Sequence, residues 1–318
     1  MEGVPGTPFG SAVRQRWRSL GDWSRALVAA FGLLVLLHLF VVRWAVVENT
    51  SMYATLRPGD LVMVQRWAKW TGVDRGDIVL FRDPLKDRTP LWRRPLMVKR
   101  IAGMPGDTVE IRNGVLTING QRQDTAPGQT RSHLVRLRSG ASPAGVLQFL
   151  GLEGMEIMEG RSFIELPLND GIAQELEQRP DVVSVSPMGP ATGAPGHIFP
   201  FSPRYRWNGD DYGPLVVPAR GDTVTITIDN LPLYDRIISR YEGHRLVANG
   251  NVLMLDDAPL EHYVIEQDYF FVLGDSRHHS ADSRYWGFVP QDHVVGRTGL
   301  VITGHGANGE RRGPRTLK

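Results

Sequence analysis

The sequence predicts a mainly β protein: one N-terminal transmembrane helix, followed by an antiparallel β-rich domain that carries an inserted α/β subdomain. Three observations support this fold class. One long apolar stretch lies near the N-terminus, Gly-Asp pairs precede short β-prone runs, and an Asn-Gly pair separates two such runs. The 35 glycines and 22 prolines among 318 residues also suit a turn-rich β protein better than a helical bundle.

The apolar stretch runs from Ala26 to Val47, apart from one histidine and one arginine. As a helix it would measure about 33 Å, against roughly 30 Å for the hydrocarbon core of a bilayer. Arginines precede it, so the positive-inside rule places the N-terminus in the cytoplasm. A cleaved signal peptide is the alternative, but the run is longer than ~7–15 residues and no small-x-small site follows it. We expect a retained anchor over residues 23–47, with residues 1–22 in the cytoplasm.

Gly-Asp pairs mark turns ahead of predicted strands. Glycine permits positive φ and the aspartate side chain bonds to nearby backbone, so each pair predicts a turn that begins a strand. The pairs begin at Gly59, Gly76, Gly106 and Gly221. Asn113-Gly114 lies between two β-prone runs and predicts a two-residue hairpin.

The middle of the chain has a different composition. Residues 121–265 contain clusters of proline, glycine and serine around a strand–helix–strand pattern near 162–186. We interpret 121–265 as an inserted second domain and residues 48–120 and 266–303 as the β core. The glycine-rich, basic residues 304–318 predict a flexible tail.

Composition excludes several classes of protein. A hydrophobic content of 42% with 22% charged residues is ordinary for a globular chain, which excludes a disordered chain and a multi-span membrane protein. The 36 lysines and arginines nearly balance 34 acidic residues, so no nucleic-acid partner is indicated. The absence of cysteine excludes disulfides, thiol nucleophiles and cysteine-based metal sites.

Three motifs contain the candidate catalytic residues. Ser51 begins the run SMYATLRPGD, directly after the apolar stretch. Lys99 lies within MVKRIAGMPGD, and residues 274–287 read GDSRHHSADSRYWG. In this order, behind a predicted anchor, the motifs resemble those of bacterial type I signal peptidases, the membrane-bound serine proteases that remove signal peptides from exported proteins. The resemblance covers residues 51–119 and roughly 266–302, and the chain is similar to family members with a large insert.

The residues themselves support a serine–lysine pair. A serine hydroxyl is a poor nucleophile unless a base removes its proton, and a lysine is a base only when neutral. Burial disfavours the ammonium form, and Lys99 has the apolar neighbours Met97, Val98 and Ile101. By resemblance, Ser51 is the nucleophile and Lys99 is the general base.

The resemblance implies supporting roles for the last motif. Ser280 matches the serine that hydrogen-bonds the lysine amine, while Asp282 and Arg284 match the pair that braces the site. No metal or organic cofactor is implied. His278 and His279 invite a metal-site reading, but consecutive residues of a strand point to opposite faces, so we interpret both as solvent-facing loop residues.

The resemblance also implies an oxyanion hole. The backbone N–H of Ser51 is expected to form it, helped by the side chain of Asn49, where serine or glycine is more usual in the family. Met52 is expected to adjoin the substrate. Ala54 stands where proline is more usual, and it removes no reacting group.

The resemblance predicts a serine endopeptidase, signal peptidase I, that removes signal peptides by cleaving after small-x-small (Ala-x-Ala) sites. Its catalytic β core would lie on the extracytoplasmic or periplasmic side of the cytoplasmic (inner) membrane. Its expected partners are preprotein signal peptides, the lipid bilayer and the export machinery. The alternative is a catalytically inactive, membrane-tethered binding protein of the same fold. A self-cleaving repressor would share the dyad but would need a DNA-binding segment where the apolar stretch stands.

Overall fold

Short antiparallel strands make up most of the regular structure. The computed structural model describes residues 21–153, 155, 162–189, 197–250, 252–305 and 311–317. The strands are β1 (Val42–Val46), β2 (Leu61–Gln65), β3 (Ile78–Arg82), β4 (Leu96–Gly103), β5 (Thr108–Arg112), β6 (Val115–Ile118), β7 (Gln121–Arg122), β8 (Arg131–Leu137), β9 (Phe163–Leu168), β10 (Val182–Pro187), β11 (Tyr212–Val216), β12 (Thr223–Thr225), β13 (Leu246–Asn249), β14 (Val252–Leu255), β15 (Ala258–Pro259), β16 (His262–Val264), β17 (Tyr269–Leu273), β18 (Val289–Pro290), β19 (Val294–His305), β20 (Arg311–Arg312) and β21 (Arg315–Thr316).

The helices are few and mostly short. They are α1 (Asp22–Leu36), α2 (Ala68–Thr71), α3 (Pro143–Leu150), α4 (Asp170–Glu177), α5 (Leu231–Arg236) and α6 (Ser283–Trp286). Segments of π-helix extend α1 over Leu37–Val41 and α5 over Ile237–Tyr241. Short 3₁₀ turns occur at Thr50–Met52, Leu91–Arg93 and Gln291–His293. The predicted mainly antiparallel β architecture is confirmed.

The largest sheet brings distant motifs together. Within the described ranges it has the order β1-β2-β19-β3-β4-β17-β18, and β20 and β21 pair with β19. Strand β4 carries Lys99 and pairs with β17, with Leu273 opposite Arg100. Because β17 ends at Leu273, the chain enters the motif at 274–287 directly beside Lys99.

The N-terminal helix is shorter than the sequence predicts. The expectation of one helix reaching Val47 is wrong, because the α-helix ends at Leu36 and residues Val42–Val46 form β1. Valine and tryptophan are as compatible with a half-buried strand as with an apolar helix. Here they pair with β2, with Val42 opposite Gln65. Among the described residues, no helix combines the length and the apolar character needed to cross a membrane.

The predicted Gly-Asp turns are confirmed, and they share one geometry. Each glycine has a positive φ, between 85° and 90°. In each turn the aspartate side chain accepts a hydrogen bond from the backbone N–H three residues earlier, as Asp107 does from Met104 at 2.8 Å. The predicted hairpin also forms, since Asn113 and Gly114 both have positive φ and join β5 to β6.

The middle of the chain contributes to more than one sheet. Strand β8 lies between β9 and β10, and α3 and α4 pack with this sheet around a separate apolar core. Helix α4 is capped by Asn169, whose side chain accepts a hydrogen bond from the N–H of Ile172 at 2.9 Å. Strand β11, by contrast, pairs with β5 of the predicted β core. The segment expected as an insert therefore packs closely with the core that surrounds it.

The end of the chain also differs from the predicted flexible tail. Strand β19 continues to His305, and the short strands β20 and β21 pair with it. Arg315 donates a hydrogen bond of 2.5 Å to the buried carboxylate of Asp60. This ion pair joins residues 311–317 to the turn that precedes β2. Residues 306–310 and 318 lie outside the described residues.

Adding a methyl group to β19 tests the packing of the largest sheet. At Gly296 a Cβ atom would lie 2.4 Å from the carbonyl oxygen of Gln65 in β2. Because backbone must move to accommodate it, we expect Gly296→Ala to lower the free energy of unfolding by about 1–3 kcal/mol. Gly299→Ala is the matched control in the same strand, with nothing within 4 Å of its Cβ. Thermal denaturation of both variants checks this, and equal melting temperatures would contradict it.

Candidate active site

Ser51 lies in a short 3₁₀ turn between β1 and β2. The turn spans Thr50–Met52, and its last residue is buried. Met52 and Leu56 are fully buried in a cluster with Val62 of β2. Ser51 itself is only partly buried, so its hydroxyl remains available at the surface of the cluster.

Lys99 reaches Ser51 from β4. Its side chain is buried, with 4% of the residue exposed. The Nζ atom lies 2.7 Å from the Oγ of Ser51 and also donates to the carbonyl oxygen of Val98 at 3.1 Å. The structure therefore brings the two predicted catalytic side chains into direct hydrogen-bond contact.

Burial lowers the pKa of Lys99 from its ordinary value of 10.5 to about 8. The cause is desolvation, which penalises the ammonium form. The carboxylates of Asp282 and Asp275 act in the opposite direction and raise the pKa. Because burial outweighs the two carboxylates, a large fraction of Lys99 is neutral near pH 8, whereas an exposed lysine is almost fully protonated there.

Asp282 and Arg284 form a buried ion pair at the start of α6. Nε and Nη2 of Arg284 each donate a hydrogen bond of 2.9 Å to the carboxylate of Asp282. The backbone N–H of Gly274 donates to the same carboxylate at 3.0 Å. Burial would raise the pKa of Asp282, but the charge and hydrogen bonds of Arg284 lower it below its ordinary value. The pair fixes the loop that follows β17.

A second ion pair, which the sequence reasoning missed, lies beside the first. Nε and Nη2 of Arg100 donate to the buried carboxylate of Asp275 at 2.9 and 2.6 Å. The hydroxyl of Thr55 donates to the same carboxylate at 2.5 Å. Strand alternation was a usable signal, because it places the side chains of Arg100 and Lys99 on opposite faces of β4.

Ser280 does not hydrogen-bond Lys99. Its hydroxyl is buried and has no hydrogen-bond partner among the described residues. It lies against Gly274, where a Cβ atom would come within 2.1 Å of the Ser280 Oγ and 2.5 Å of the Ser51 carbonyl oxygen. The expectation from the resemblance is therefore wrong in this structure, because the lysine amine is directed at Ser51 and the Val98 carbonyl instead.

Asn49 and Met52 have different surroundings. Asn49 is exposed and lines a cleft of about 520 Å³ together with Ser51 and Lys99. Its side chain makes no capping hydrogen bond to the 3₁₀ turn that follows. Met52 is fully buried and does not line this cleft, which corrects the expectation that it adjoins the substrate. Its apolar side chain is drawn into the core instead.

The two adjacent histidines contact the middle of the chain rather than solvent. The Nε2 of His278 lies 3.0 Å from the carboxylate of Asp210, and its Nδ1 accepts from the N–H of Ser132 at 3.1 Å. The Nε2 of His279 lies 3.2 Å from the hydroxyl of Ser132. The interpretation of solvent-facing residues is wrong, because each imidazole finds a polar partner on β8 or on the loop before β11.

Most of the chain matches the model of a known protein family. The model of the family described as signal peptidase, peptidase S26, matches residues 20–163 and 205–303. The chain belongs to this family. The matched residues include both members of the Ser51–Lys99 pair and the motif at 274–287. The resemblance to bacterial type I signal peptidases is thereby confirmed.

Relatives from several bacteria are similar over part of the chain. Signal peptidase I S of Bacillus subtilis (strain 168) is 39% identical over 109 residues, which are 34% of this chain and 54% of the relative. Signal peptidase I of Bacillus licheniformis is 31% identical over 147 residues, 46% of this chain and 72% of the relative. Signal peptidase IB of Staphylococcus aureus (strain N315) is 32% identical over 108 residues, 34% of this chain and 52% of the relative. The chain spans about half the length of the first of these relatives.

Replacing Lys99 tests its burial independently of any activity. Because the pKa is about 8 in the folded chain and near 10.5 when unfolded, the lysine destabilises the fold below pH 8. We expect Lys99→Met to be more stable than the native chain at pH 7, by on the order of 3 kcal/mol at most. The difference should shrink as pH rises from about 8 to 10.5, where the unfolded chain also loses its proton.

Chemical denaturation across this pH range provides the measurement. Lys69→Met, at an exposed lysine of α2, is the matched control and should differ from the native chain by the same amount at every pH. A pH-independent difference for Lys99→Met would contradict the depressed pKa.

Proposed function

We propose that this chain is a membrane-bound serine endopeptidase that removes N-terminal signal peptides from exported preproteins, cleaving after small-x-small sites. The observation that carries the proposal is the 2.7 Å contact between Lys99 Nζ and Ser51 Oγ, both of which line a cleft. The relatives named signal peptidase I support the substrate class. Nothing in the site favours the inactive binding protein.

The proposed reaction uses the two side chains in turn. Neutral Lys99 accepts the proton of the Ser51 hydroxyl while Oγ attacks the scissile carbonyl carbon. The lysine then gives this proton to the leaving amine as the peptide bond breaks, which leaves an acyl ester on Ser51. Water attacks the ester, with Lys99 again accepting the proton, and the released serine oxygen recovers it. Each proton is returned, so the enzyme ends unchanged.

The negative oxygen of the tetrahedral intermediate needs hydrogen-bond donors. We assign this role to the backbone N–H of Ser51, with the side-chain amide of Asn49 as a second donor. Asn49 is exposed and lines the cleft, where its side-chain NH2 group can donate a hydrogen bond. Asp282 and Arg284 act indirectly, by fixing the loop that packs against Lys99.

The cleft is suited to an extended peptide. Its walls come from β1 and the residues after it on one side and from β4 with the residues before it on the other. Strand β1 is an end strand of the largest sheet, so a substrate strand would find unpaired backbone groups there. The apolar residues Val62 and Leu80 also line the cleft. We propose that alternate small side chains of the substrate rest on these apolar residues.

We also propose that α1 anchors the chain in the cytoplasmic membrane, with the N-terminus in the cytoplasm and the catalytic core outside. Its apolar side chains are exposed rather than packed against the rest of the molecule, including Leu27, Phe31 and Leu34, each more than 60% exposed. An isolated apolar helix of this kind is stable in lipid and unfavourable in water. The bilayer and the export machinery would then be partners of this chain.

Cleavage of a preprotein with an Ala-x-Ala site tests the proposed reaction. We expect the detergent-solubilised native chain to cut at that site, and Ser51→Ala and Lys99→Ala each to reduce kcat by at least about 10³-fold. Ser186→Ala and Lys69→Ala, both at exposed positions, are matched controls that should keep native rates. The new N-terminus is mapped by mass spectrometry. Activity that survives either dyad substitution would remove the assigned roles.

Membrane extraction tests the anchor. We expect the full chain to stay in the membrane pellet after an alkaline carbonate wash. Replacing Phe31 and Leu34 together by lysine should release it, because each lysine costs roughly 2.5–3.5 kcal/mol at the centre of a spanning helix. Val216→Lys, at an exposed apolar position on β11, is the control and should not change the distribution. Recovery of the native chain in the wash would contradict anchoring by α1.

A further inference from the structure

The residue two positions after Ser51 is buried in the core of the middle segment. Tyr53 is fully buried, and its hydroxyl donates to the carbonyl oxygen of Leu150, the last residue of α3, at 3.1 Å. Its apolar neighbours belong to α3, α4 and the sheet of β8, β9 and β10, and include Val135, Leu137, Val146, Leu147, Leu150, Ile164, Leu166, Leu168 and Leu176. Met52, one residue earlier, is buried in the core beside β2 instead. The turn that carries Ser51 therefore lies between two separate cores.

Thr130 joins this turn to the loop after β17. It is fully buried, just before β8. Its hydroxyl donates to the carbonyl oxygen of Tyr53 at 3.0 Å, and its N–H donates to the carbonyl of Asp275 at 2.8 Å. Its own carbonyl accepts from the N–H of Arg277 at 3.0 Å. All three of its hydrogen-bonding groups thus contact segments of the active site.

The loop after β17 completes the connection to the nucleophile. The N–H of Ser276 donates to the carbonyl oxygen of Ser51 at 3.1 Å. The carbonyls of Ser51 and Tyr53 are therefore held by neighbouring residues, Ser276 and Thr130, which pair with each other as an isolated parallel bridge. Fixing the backbone on both sides of Met52 restricts how the Ser51 hydroxyl can move.

Gly128 fits closely against the same turn. Its carbonyl accepts from the N–H of Ala54 at 3.1 Å. A Cβ atom at Gly128 would lie 2.0 Å from the Oγ1 of Thr55 and 2.8 Å from its backbone nitrogen. Only glycine allows this approach, so residues 128–130 follow the nucleophile turn at backbone contact distance.

We propose that Thr130 and Tyr53 are positioning residues, through which the middle segment fixes the nucleophile turn and with it the contact between Ser51 and Lys99. The middle segment then supports the catalytic residues and is not merely an accessory domain. This inference rests on the proposed function for its kinetic consequence. Displacements of about 1 Å in a reacting group can reduce rates by about 10²-fold. Restraint of this turn should therefore raise kcat.

Thr130→Val removes the hydrogen bond to Tyr53 and keeps the side-chain shape. We expect kcat on a preprotein to fall about 10- to 100-fold with little change in KM, because the cleft walls are untouched. The rise of kcat/KM with pH should also move above about pH 8, since a loosened turn admits water to Lys99 and its pKa rises toward the ordinary value. Thr130→Ser retains the hydroxyl and should restore both properties.

Thr298→Val is the matched control for a purely structural effect. Thr298 is also buried, and its hydroxyl donates to the carbonyl oxygen of Met63 at 2.9 Å, between β19 and β2. We expect this variant to lose a similar amount of thermal stability but to keep the native kcat and pH profile. A native kcat and pH profile in Thr130→Val, or equal losses in both variants, would overturn the proposal.

Amide hydrogen exchange gives a readout that needs no substrate. In Gly128→Ala the methyl group must displace Thr55, whereas Gly145→Ala adds a methyl to α3 with its nearest atoms 3.8 Å away. We expect faster exchange over residues 51–56 in Thr130→Val and Gly128→Ala, and native exchange in Thr298→Val and Gly145→Ala. If the native chain cleaves no preprotein, the proposed function fails while exchange still decides the positioning role. Native exchange in both test variants would overturn it.

Discussion

The candidate active site depends on one electrostatic constraint: the amine of Lys99 must be able to lose its proton near pH 8 although two carboxylates lie near it. Asp275 and Asp282 both raise the pKa of Lys99, and burial must outweigh them. Each carboxylate is bound by its own guanidinium, Arg100 for Asp275 and Arg284 for Asp282. A carboxylate paired in this way exerts a weaker field on its surroundings than a bare one. The two ion pairs therefore fix the loop after β17 and also limit its effect on the lysine.

Strand pairing supplies the rest of that arrangement. Strand β4 lies between β3 and β17, so its backbone is paired on both sides, and the Lys99 amine leaves the sheet toward the turn at Thr50–Met52. Arg100 points to the opposite face, where Asp275 begins the loop that follows β17. The alternation of one strand thus separates the Lys99 amine from the guanidinium of Arg100, which pairs with Asp275.

Much of this was predictable from local sequence, and the exceptions have physical reasons. Turn chemistry identifies Gly106-Asp107 as the start of a strand, because positive φ and a short acceptor side chain act within a few residues. The end of α1 was not predictable, because Val42–Val46 suits an apolar helix or a strand equally well and only pairing with β2 decides. Thr130 carried no signal at all. Its role comes from contacts with residues about 77 and 145 positions away, which no local pattern encodes.

The helix and the catalytic sheet are joined without a linker. The π-helical segment ends at Val41, and β1 begins at Val42, whose partner strand β2 belongs to the largest sheet. A flexible tether would let the cleft sample many heights above a bilayer, but a direct junction does not. With α1 embedded in a bilayer, the cleft would lie at a fixed distance from the lipid surface. Selection among peptide bonds would then depend on how far each lies from the lipid surface, as well as on the side chains around it.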